Sequence, residues 1–325
     1  MAAKPKVAFY WCASCGGCEE AVVDLAEDLL WLVQQVDVVL WPVALDFKKR
    51  DVEALADGSL AAAFINGAVR LEEQAEWARL LRRKAQAVVA FGACAHLGGI
   101  PGLANFSGRE ETLRLLYAEL PGLHAPGGVR PARNSSHDGA DLELPEFHDR
   151  VRRLDEVVEV DYYLPGCPPP TALFLDAAKA LLAGALPPRG SVLAPSKALC
   201  DTCPRKDSKP EVLDIRAIRR VATSTPDPER CLLAEGYLCL GPATRSGCGE
   251  TCIRANMPCR GCFGPVDGVD DLGAAFLSAL GTLLADRSEE EVAALVGDIP
   301  DLAGTLYRYG LPASLLGGAR RREAP

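Results

Sequence analysis

Four cysteines in the first half of the chain each follow an apolar run that is typical of a buried strand. These cysteines are Cys15, Cys18, Cys94 and Cys167. The apolar runs are residues 7–11, 87–91 and 157–164. Because the carboxyl ends of parallel strands form the ligand crevice of an open α/β sheet, we expect the four thiols to converge on one four-cysteine metal site.

Eight further cysteines lie between residues 200 and 262, in a segment that is also rich in Gly and Pro. Their spacing is most simply divided into two sets of four. One set is Cys200, Cys203, Cys231 and Cys239, and the other is Cys248, Cys252, Cys259 and Cys262. So small a segment cannot build a large apolar core, and we expect metal ligation to supply the missing cohesion.

Ligation by thiolates alone suits either an iron–sulfur cluster or a structural zinc ion. Zinc stays an alternative for the second region, but it is disfavoured for the first site because Cys94 and Cys167 arrive singly from distant strands. Disulfides are disfavoured because the chain starts with a short polar segment that resembles no signal sequence, which predicts a reducing compartment. The thirteenth cysteine, Cys12, is expected to be a buried free thiol.

The elements that must position the first site alternate between strands and helices. Further strands are predicted at residues 36–45 and 60–65, and helices at residues 19–34, 71–84 and 171–185. Continuous apolar strands separated by helices predict a mostly parallel α/β sheet that is covered on both faces. The helix that starts near Cys18 would direct its positive end at the site, which favours an anionic cluster.

Three other segments complete the predicted organisation. Residues 122–155 have no firm period, and we expect a long surface excursion near a partner surface. Residues 187–190 predict a domain boundary, and helices are expected near residues 270–286 and 289–296. The residues from 317 onward are expected to fray.

Composition excludes some classes of function. The 325-residue chain has a formal net charge of −9, so it lacks the basic field of a nucleic-acid-binding protein. No apolar run is long enough to span a membrane, and a cytoplasmic location is expected.

Five motifs in combination resemble the small, electron-transferring subunit of [NiFe]-hydrogenases. The motifs are WCASCGGCE at 11–19, AFGACAHLGGIPG at 90–102, VDYYLPGCPP at 160–169, CLGPATRSGCG at 239–249 and NMPCRGC at 256–262. The chain is most similar to the cytosolic, methyl-viologen-reducing and deazaflavin-non-reducing branch, over about residues 6–266.

The resemblance implies three [4Fe-4S] clusters and a three-part chain. A flavodoxin-like domain at 1–190 would hold the proximal cluster on Cys15, Cys18, Cys94 and Cys167. An irregular, Cys-rich domain at 191–266 would hold a medial cluster on Cys248, Cys252, Cys259 and Cys262 and a distal cluster on Cys200, Cys203, Cys231 and Cys239. A helical tail would occupy 267–325.

The sequence also departs from the family pattern. Many members have a histidine where this chain has Cys200, and many exported members have a proline where Cys252 supplies a fourth thiol, which favours three [4Fe-4S] clusters. Asn66 stands where an acidic residue is frequent.

The implied function is the relay of single electrons between the Ni–Fe centre of a large subunit and an external acceptor. The acceptor would be an iron–sulfur or flavin subunit of heterodisulfide-reductase type, and this chain would hold no hydrogen-activating residue. One alternative is the small subunit of a deazaflavin- or NAD(P)-linked [NiFe]-hydrogenase. A second is the related subunit of respiratory complex I, which has adjacent proximal cysteines and lacks a two-cluster region. A third is a zinc-stabilised interaction protein.

Several polar residues near these motifs have two interpretations. Glu19 and Glu20 could accept protons near the first site, although acidic residues are also common at helix N-termini. His96 could hydrogen-bond a cluster sulfur or be structural. Arginines could offset cluster charge or be ordinary surface residues; they are Arg245, Arg254 and Arg260.

Overall fold

A computed structural model describes residues 3–124, 129–284 and 286–319. The strands of this part of the chain are β1 (Lys6–Trp11), β2 (Asp37–Leu40), β3 (Leu60–Asn66), β4 (Val69–Leu71), β5 (Val88–Phe91), β6 (Asn134–His137), β7 (Ala140–Glu143), β8 (Phe147–Arg152), β9 (Tyr162–Leu164) and β10 (Ser191–Val192). The helices are α1 (Gly17–Val23), α2 (Glu27–Gln35), α3 (Lys49–Glu53), α4 (Glu72–Lys84), α5 (Ala93–Leu97), α6 (Arg109–Arg114), α7 (Thr171–Leu182), α8 (Leu199–Thr202), α9 (Thr251–Arg254), α10 (Leu272–Leu283), α11 (Glu289–Gly297), α12 (Leu302–Tyr307) and α13 (Leu315–Ala319).

The main sheet has six parallel strands in the order β10-β9-β5-β3-β1-β2. Without β4 and the β6–β8 insertion, this order is the flavodoxin-like one, in which ligands bind outside the carboxyl ends of the strands beside β1. The predicted α/β fold class is therefore confirmed. β10 pairs with β9, so the sheet extends to Val192, while the proposed division of the chain into domains stays a prediction.

Apolar side chains cover both faces of this sheet because successive strand residues point to opposite sides. On one face, the rings of Phe9 and Phe64 stack with centroids 5.2 Å apart, and Phe174 of α7 lies 5.5 Å from Phe64. On the other face, Ile65 packs in a buried cluster with Leu81 of α4. Burial on both faces explains why the strands are continuously apolar.

Three predicted elements differ in extent from those in the structure. The helix predicted at residues 19–34 is two helices, α1 and α2, because Ala26 turns the chain with φ +51° and the two helices pack on different elements, α7 and β2. The second strand ends at Leu40, before Pro42, which has no N–H to donate to a neighbouring strand. The strand predicted from residue 157 begins only at Tyr162, because Val157 and Val158 donate to the carbonyl of Leu154 in a turn.

The excursion predicted as irregular contains strands. β6 and β7 form an exposed hairpin whose turn residues, Asp138 and Gly139, both have positive φ, as a type I′ turn requires. β8 pairs antiparallel with β4, and Asn105 fastens it through two hydrogen bonds with the backbone of Val151, of 2.8 and 2.9 Å. Residues 125–128 of this prediction lie outside the described residues.

The C-terminal helices complete the core of the Cys-rich region. Phe276 and Leu280 of α10 are buried in one cluster with Tyr237 and Leu240, which lie among the cysteines. Asp271 accepts the N–H of Ala274 at 2.9 Å and so caps α10. Apolar burial therefore adds to the cohesion that we expected from metal alone. Residues 320–325, at the end predicted to fray, lie outside the described residues.

Across the described ranges, no helix combines the length and the apolar character needed to cross a lipid bilayer.

Candidate functional site

Three segments at the carboxyl edge of the main sheet carry the four cysteines of the first predicted site. The turn between β1 and α1 holds Cys15 and the first turn of α1 holds Cys18, whereas Cys94 begins α5 after β5 and Cys167 follows β9. Hydrogen bonds join the last two segments, since Gly92 donates to the carbonyl of Leu164 at 2.8 Å and Ala93 to that of Gly166 at 2.7 Å. The three segments are therefore held together at one edge.

The sulfurs of these four cysteines are close enough to affect one another's ionisation. Burial, followed by the neighbouring thiolates of Cys94, Cys167 and Cys15, raises the pKa of Cys18. Burial, followed by Cys167 and Cys15, raises the pKa of Cys94 to about 12. Four thiolates in one low-dielectric place repel one another, and iron would supply the positive charge that stabilises them.

Glycines keep space open beside these sulfurs. A Cβ added to Gly92 would lie 2.4 Å from the Sγ of Cys18, and one added to Gly99 would lie 2.4 Å from the Sγ of Cys94. Both distances are far below van der Waals contact, and both glycines have positive φ. The residues thus fit a bulky group ligated by the sulfurs.

A buried carboxyl lies directly behind this group. Glu19 is 4% exposed and accepts hydrogen bonds from the indole of Trp41 and the amide of Asn66. Burial raises the pKa of Glu19, and the two hydrogen bonds oppose that rise. Glu20 is exposed, so Glu19 is the residue of this pair that belongs to the site, with Asn66 as its partner.

The cysteines assigned to the distal set line one cavity of about 220 Å³. They are Cys200, Cys203, Cys231 and Cys239. Burial, followed by the other three thiolates, raises the pKa of Cys200 to about 12. Gly241 leaves room here, because its missing Cβ would lie 3.4 Å from the Sγ of Cys200.

The medial set lies between the other two. Burial, followed by the thiolates of Cys167, Cys252 and Cys248, raises the pKa of Cys262 to about 12. Burial is the main cause that raises the pKa of Cys259. The thiolate of Cys239 is the next cause, and the thiolate of Cys262 adds a smaller rise.

Backbone groups lie between cysteines of different sets. The N–H of Cys259 donates to the Sγ of Cys239 at 3.3 Å, and the backbone of Cys167 lies near enough to the Cys262 sulfur to oppose the rise in its pKa. Within the described residues, no three His, Cys, Asp or Glu side chains lie close enough to hold one metal ion. Cysteines assigned to different sets are nevertheless neighbours in the fold, as Cys259 and Cys239 are.

The C-terminal tail contributes a residue that the sequence analysis missed. Burial raises the pKa of Tyr309 to about 12, and the thiolates of Cys167 and Cys262 add to that rise. The carbonyl of Tyr309 accepts the N–H of Gly99 at 3.0 Å. The glycines of the 98–102 segment indicate a close approach, but no local pattern identifies the tail as the approaching segment.

The histidine and arginine candidates have mostly structural roles. His96 is neutral, because burial and then Arg153 and Arg245 lower its pKa to about 3. Arg245 is 3% exposed, donates to the carbonyls of Ala194, Pro195 and Pro265, and pairs with Asp267. Arg254 is exposed and pairs with Glu250, which leaves Arg260 as the arginine beside the cysteines.

Cys12 is the thirteenth cysteine and stands apart from the three sets. It is 5% exposed, and burial alone raises its pKa to about 12. This environment agrees with the predicted buried free thiol.

Comparison with known proteins gives consistent results. Residues 15–181 match the sequence model of a family described as NADH ubiquinone oxidoreductase, 20 Kd subunit. The iron-sulfur subunit of the F420-non-reducing hydrogenase of Archaeoglobus profundus is 41% identical over 314 residues, which cover 96% of this chain and 97% of the relative. The corresponding subunit of the F420-non-reducing hydrogenase of Methanothermobacter marburgensis is 34% identical over 322 residues, which cover 97% of each chain.

A solved structure shares the fold. The [NiFeSe] hydrogenase from Desulfovibrio vulgaris Hildenborough aligns with a TM-score of 0.51 and 18% identity, covering 82% of this chain and 95% of that one. The resemblance found in the motifs therefore extends along nearly the whole chain. The chain belongs to the family of iron–sulfur subunits of F420-non-reducing hydrogenases and is the small subunit of a hydrogenase.

Proposed function

We propose that this small subunit carries single electrons through three [4Fe-4S] clusters, between the Ni–Fe centre of a large subunit and an external acceptor. The proposal is supported by the proximity of the cysteine sets: the N–H of Cys259 donates to the Sγ of Cys239, and Cys167 and Cys262 are close enough for one thiolate to affect the pKa of the other. A medial set that adjoins a set on each side is the arrangement that stepwise electron transfer needs.

The donor chemistry supports clusters. Every proposed ligand is a cysteine, and thiolates select iron–sulfur clusters or zinc. The proximal ligands are Cys15, Cys18, Cys94 and Cys167; the medial ligands are Cys248, Cys252, Cys259 and Cys262; the distal ligands are Cys200, Cys203, Cys231 and Cys239. Iron–sulfur clusters, when bound, would accept and release single electrons.

The chain's own residues would hold the clusters and adjust their potentials. Backbone N–H groups donate to cysteine sulfur, as Arg205 does to Cys203 at 3.4 Å and Cys259 does to Cys239 at 3.3 Å. Such hydrogen bonds and the burial of the sulfurs are the means by which a protein sets a cluster potential. Leu199 and Leu232 line the distal cavity and exclude water from it.

The proposed partners follow from the relatives. The hydrogen-activating centre would lie in a large subunit, and electrons would leave to an iron–sulfur or flavin subunit of heterodisulfide-reductase type. The names of the relatives exclude F420 as their acceptor. A relative named NAD-reducing hydrogenase HoxS subunit delta is 31% identical over only 51% of this chain, so NAD linkage is the weaker alternative.

All thirteen cysteines are free, which fits a reducing, cytoplasmic compartment.

Metal analysis of the anaerobically purified complex tests this proposal. In the complex of this chain with the large subunit, we expect about twelve sulfide and about thirteen iron, because the Ni–Fe centre adds one iron, together with nickel and hydrogen-dependent reduction of methyl viologen. Cys18→Ala, Cys262→Ala and Cys200→Ala should each remove about four iron, because each breaks a different set. Cys12→Ala is the matched control and should keep all the iron.

Two results would contradict the proposal. A colourless protein that contains zinc would support the zinc-stabilised alternative instead. Equal iron contents in Cys12→Ala and in the three other variants would show that the sets do not ligate clusters.

A further inference from the structure

A second cavity, of about 210 Å³, lies between the Cys-rich region and the C-terminal helices. Four arginines line it: Arg219, Arg220, Arg260 and Arg308. The remaining lining is largely apolar, with Tyr237 and Ile299 among its members. A concentration of positive charge in one cavity is unexpected in a chain whose formal net charge is −9.

These four guanidinium groups lack anionic partners within the described residues, where none of them forms a hydrogen bond or ion pair. By contrast, Arg205 in the same region donates to three backbone carbonyls and to the side chain of Asn256. Asp301 also lines the arginine cavity, but its carboxylate accepts the N–H of Gly304 at 2.8 Å as the cap of α12. The carboxylate of Asp301 offsets one of the four positive charges, so the cavity keeps a surplus of positive charge.

The position of the cavity relates it to electron transfer. Arg260 directly follows Cys259, and the lining residue Leu238 directly precedes Cys239. Arg260 and Arg308 thus line a cavity whose wall adjoins cysteines of the proposed medial and distal sets. Like charges at close range are costly unless an anion joins them.

We propose that this arginine cavity docks an acidic segment of the protein that takes electrons from this subunit, with its carboxylates on the guanidinium groups. The inference rests on the proposed function, because it identifies the face through which electrons leave. Arginine forms paired hydrogen bonds with carboxylates, and a positive patch on an acidic protein orients an acidic partner during encounter. Met257 and Leu302 are 42% and 37% exposed. They adjoin the lining residues Pro258 and Asp301 in sequence, so their side chains would provide apolar contacts at the rim of the cavity.

A fluorescein-labelled hexaglutamate peptide, titrated into the holoenzyme and followed by fluorescence anisotropy, tests the proposal. In the variant Arg220→Gln/Arg308→Gln, we expect the Kd to rise about tenfold and its dependence on salt to weaken, because two charges are removed. The matched control is Arg79→Gln/Arg83→Gln on α4, which removes the same charge from exposed side chains outside the cavity and should bind the peptide as the parent does.

A second readout uses the electron transfer itself. With hydrogen as donor, the cavity variant should show a raised KM for the anionic acceptor anthraquinone-2,6-disulfonate and an unchanged KM for the cationic acceptor methyl viologen. Equal peptide binding by the cavity and control variants would overturn the proposal. Binding of pyrophosphate without binding of hexaglutamate would also overturn it, because the cavity would then be a site for small anions.

The iron content, measured on the same samples, separates the two levels of inference. A holoenzyme without iron would refute the proposed function, whereas a loss of peptide binding at full iron content concerns the docking surface alone.

Discussion

The substitution Gly92→Ala would place a methyl group in the space beside the proximal sulfurs. The new Cβ would lie 2.4 Å from the Sγ of Cys18. The backbone at Gly92 has φ +86° and ψ +167°, a region that is essentially restricted to glycine and costs an L-residue about 1–3 kcal/mol. Cys18 is buried, so relief of the clash must move its sulfur or the β5 loop, at a further cost of about 1–3 kcal/mol.

Gly190→Ala isolates the contact from the backbone strain. Gly190 has φ +87°, and a Cβ built on it meets no atom within 4 Å. It therefore tests the replacement of a positive-φ glycine without the clash. Iron and labile sulfide, together with visible absorption of the anaerobic holoprotein, are the measurements to compare.

We expect Gly92→Ala to lose about four iron per chain while Gly190→Ala keeps the full content, because only the first change displaces a proximal ligand. Equal iron and equal visible absorption in the two variants would refute the reasoning, since Cys18 would then not need the space beside Gly92. A lower iron content in both would show that backbone strain, and not the contact, controls loading.

Two further predictions concern buried polar groups. Asp161 is 1% exposed, accepts the N–H of Val88 at 2.7 Å and forms ion pairs with Arg82 and Arg189. Asp161→Asn should therefore lower the free energy of unfolding by about 1–3 kcal/mol. An unchanged thermal midpoint would contradict this. Asn66→Asp would set a second carboxyl against Glu19, whose pKa burial already raises. The folded state of this variant would then bind more protons than the unfolded state. Its free energy of unfolding should therefore fall as the pH rises above about 4. A thermal midpoint that rises over that pH range would exclude the predicted repulsion.

Local sequence patterns predicted five of the six strands of the main sheet and missed β10. The apolar runs that became β1, β3 and β5 are continuous because both faces of a parallel sheet are buried, and that requirement is visible in the residues themselves. Cys15, Cys18, Cys94 and Cys167 were expected at one edge, since a parallel sheet puts the carboxyl ends of its strands together.

Other elements depended on distant partners and were missed or wrongly bounded. β8 is largely polar and is a strand because β4 and Asn105 hold it, although they are more than forty residues away along the chain. The helix predicted at 19–34 is broken because its two halves pack on different elements, which the continuous apolar spacing does not reveal.

Residue identity alone was enough to predict thiolate ligation, because twelve of the thirteen cysteines and their flanking motifs indicate it whatever their position in space. The order of the cysteine sets, in contrast, depends on the folded chain. The Sγ of Cys239 accepts the N–H of Cys259, the carbonyl of Tyr309 accepts the N–H of Gly99, and Arg308 and Arg260 share a cavity. These contacts join segments that are far apart along the chain, and long-range packing leaves no periodic signal in the residues that make it.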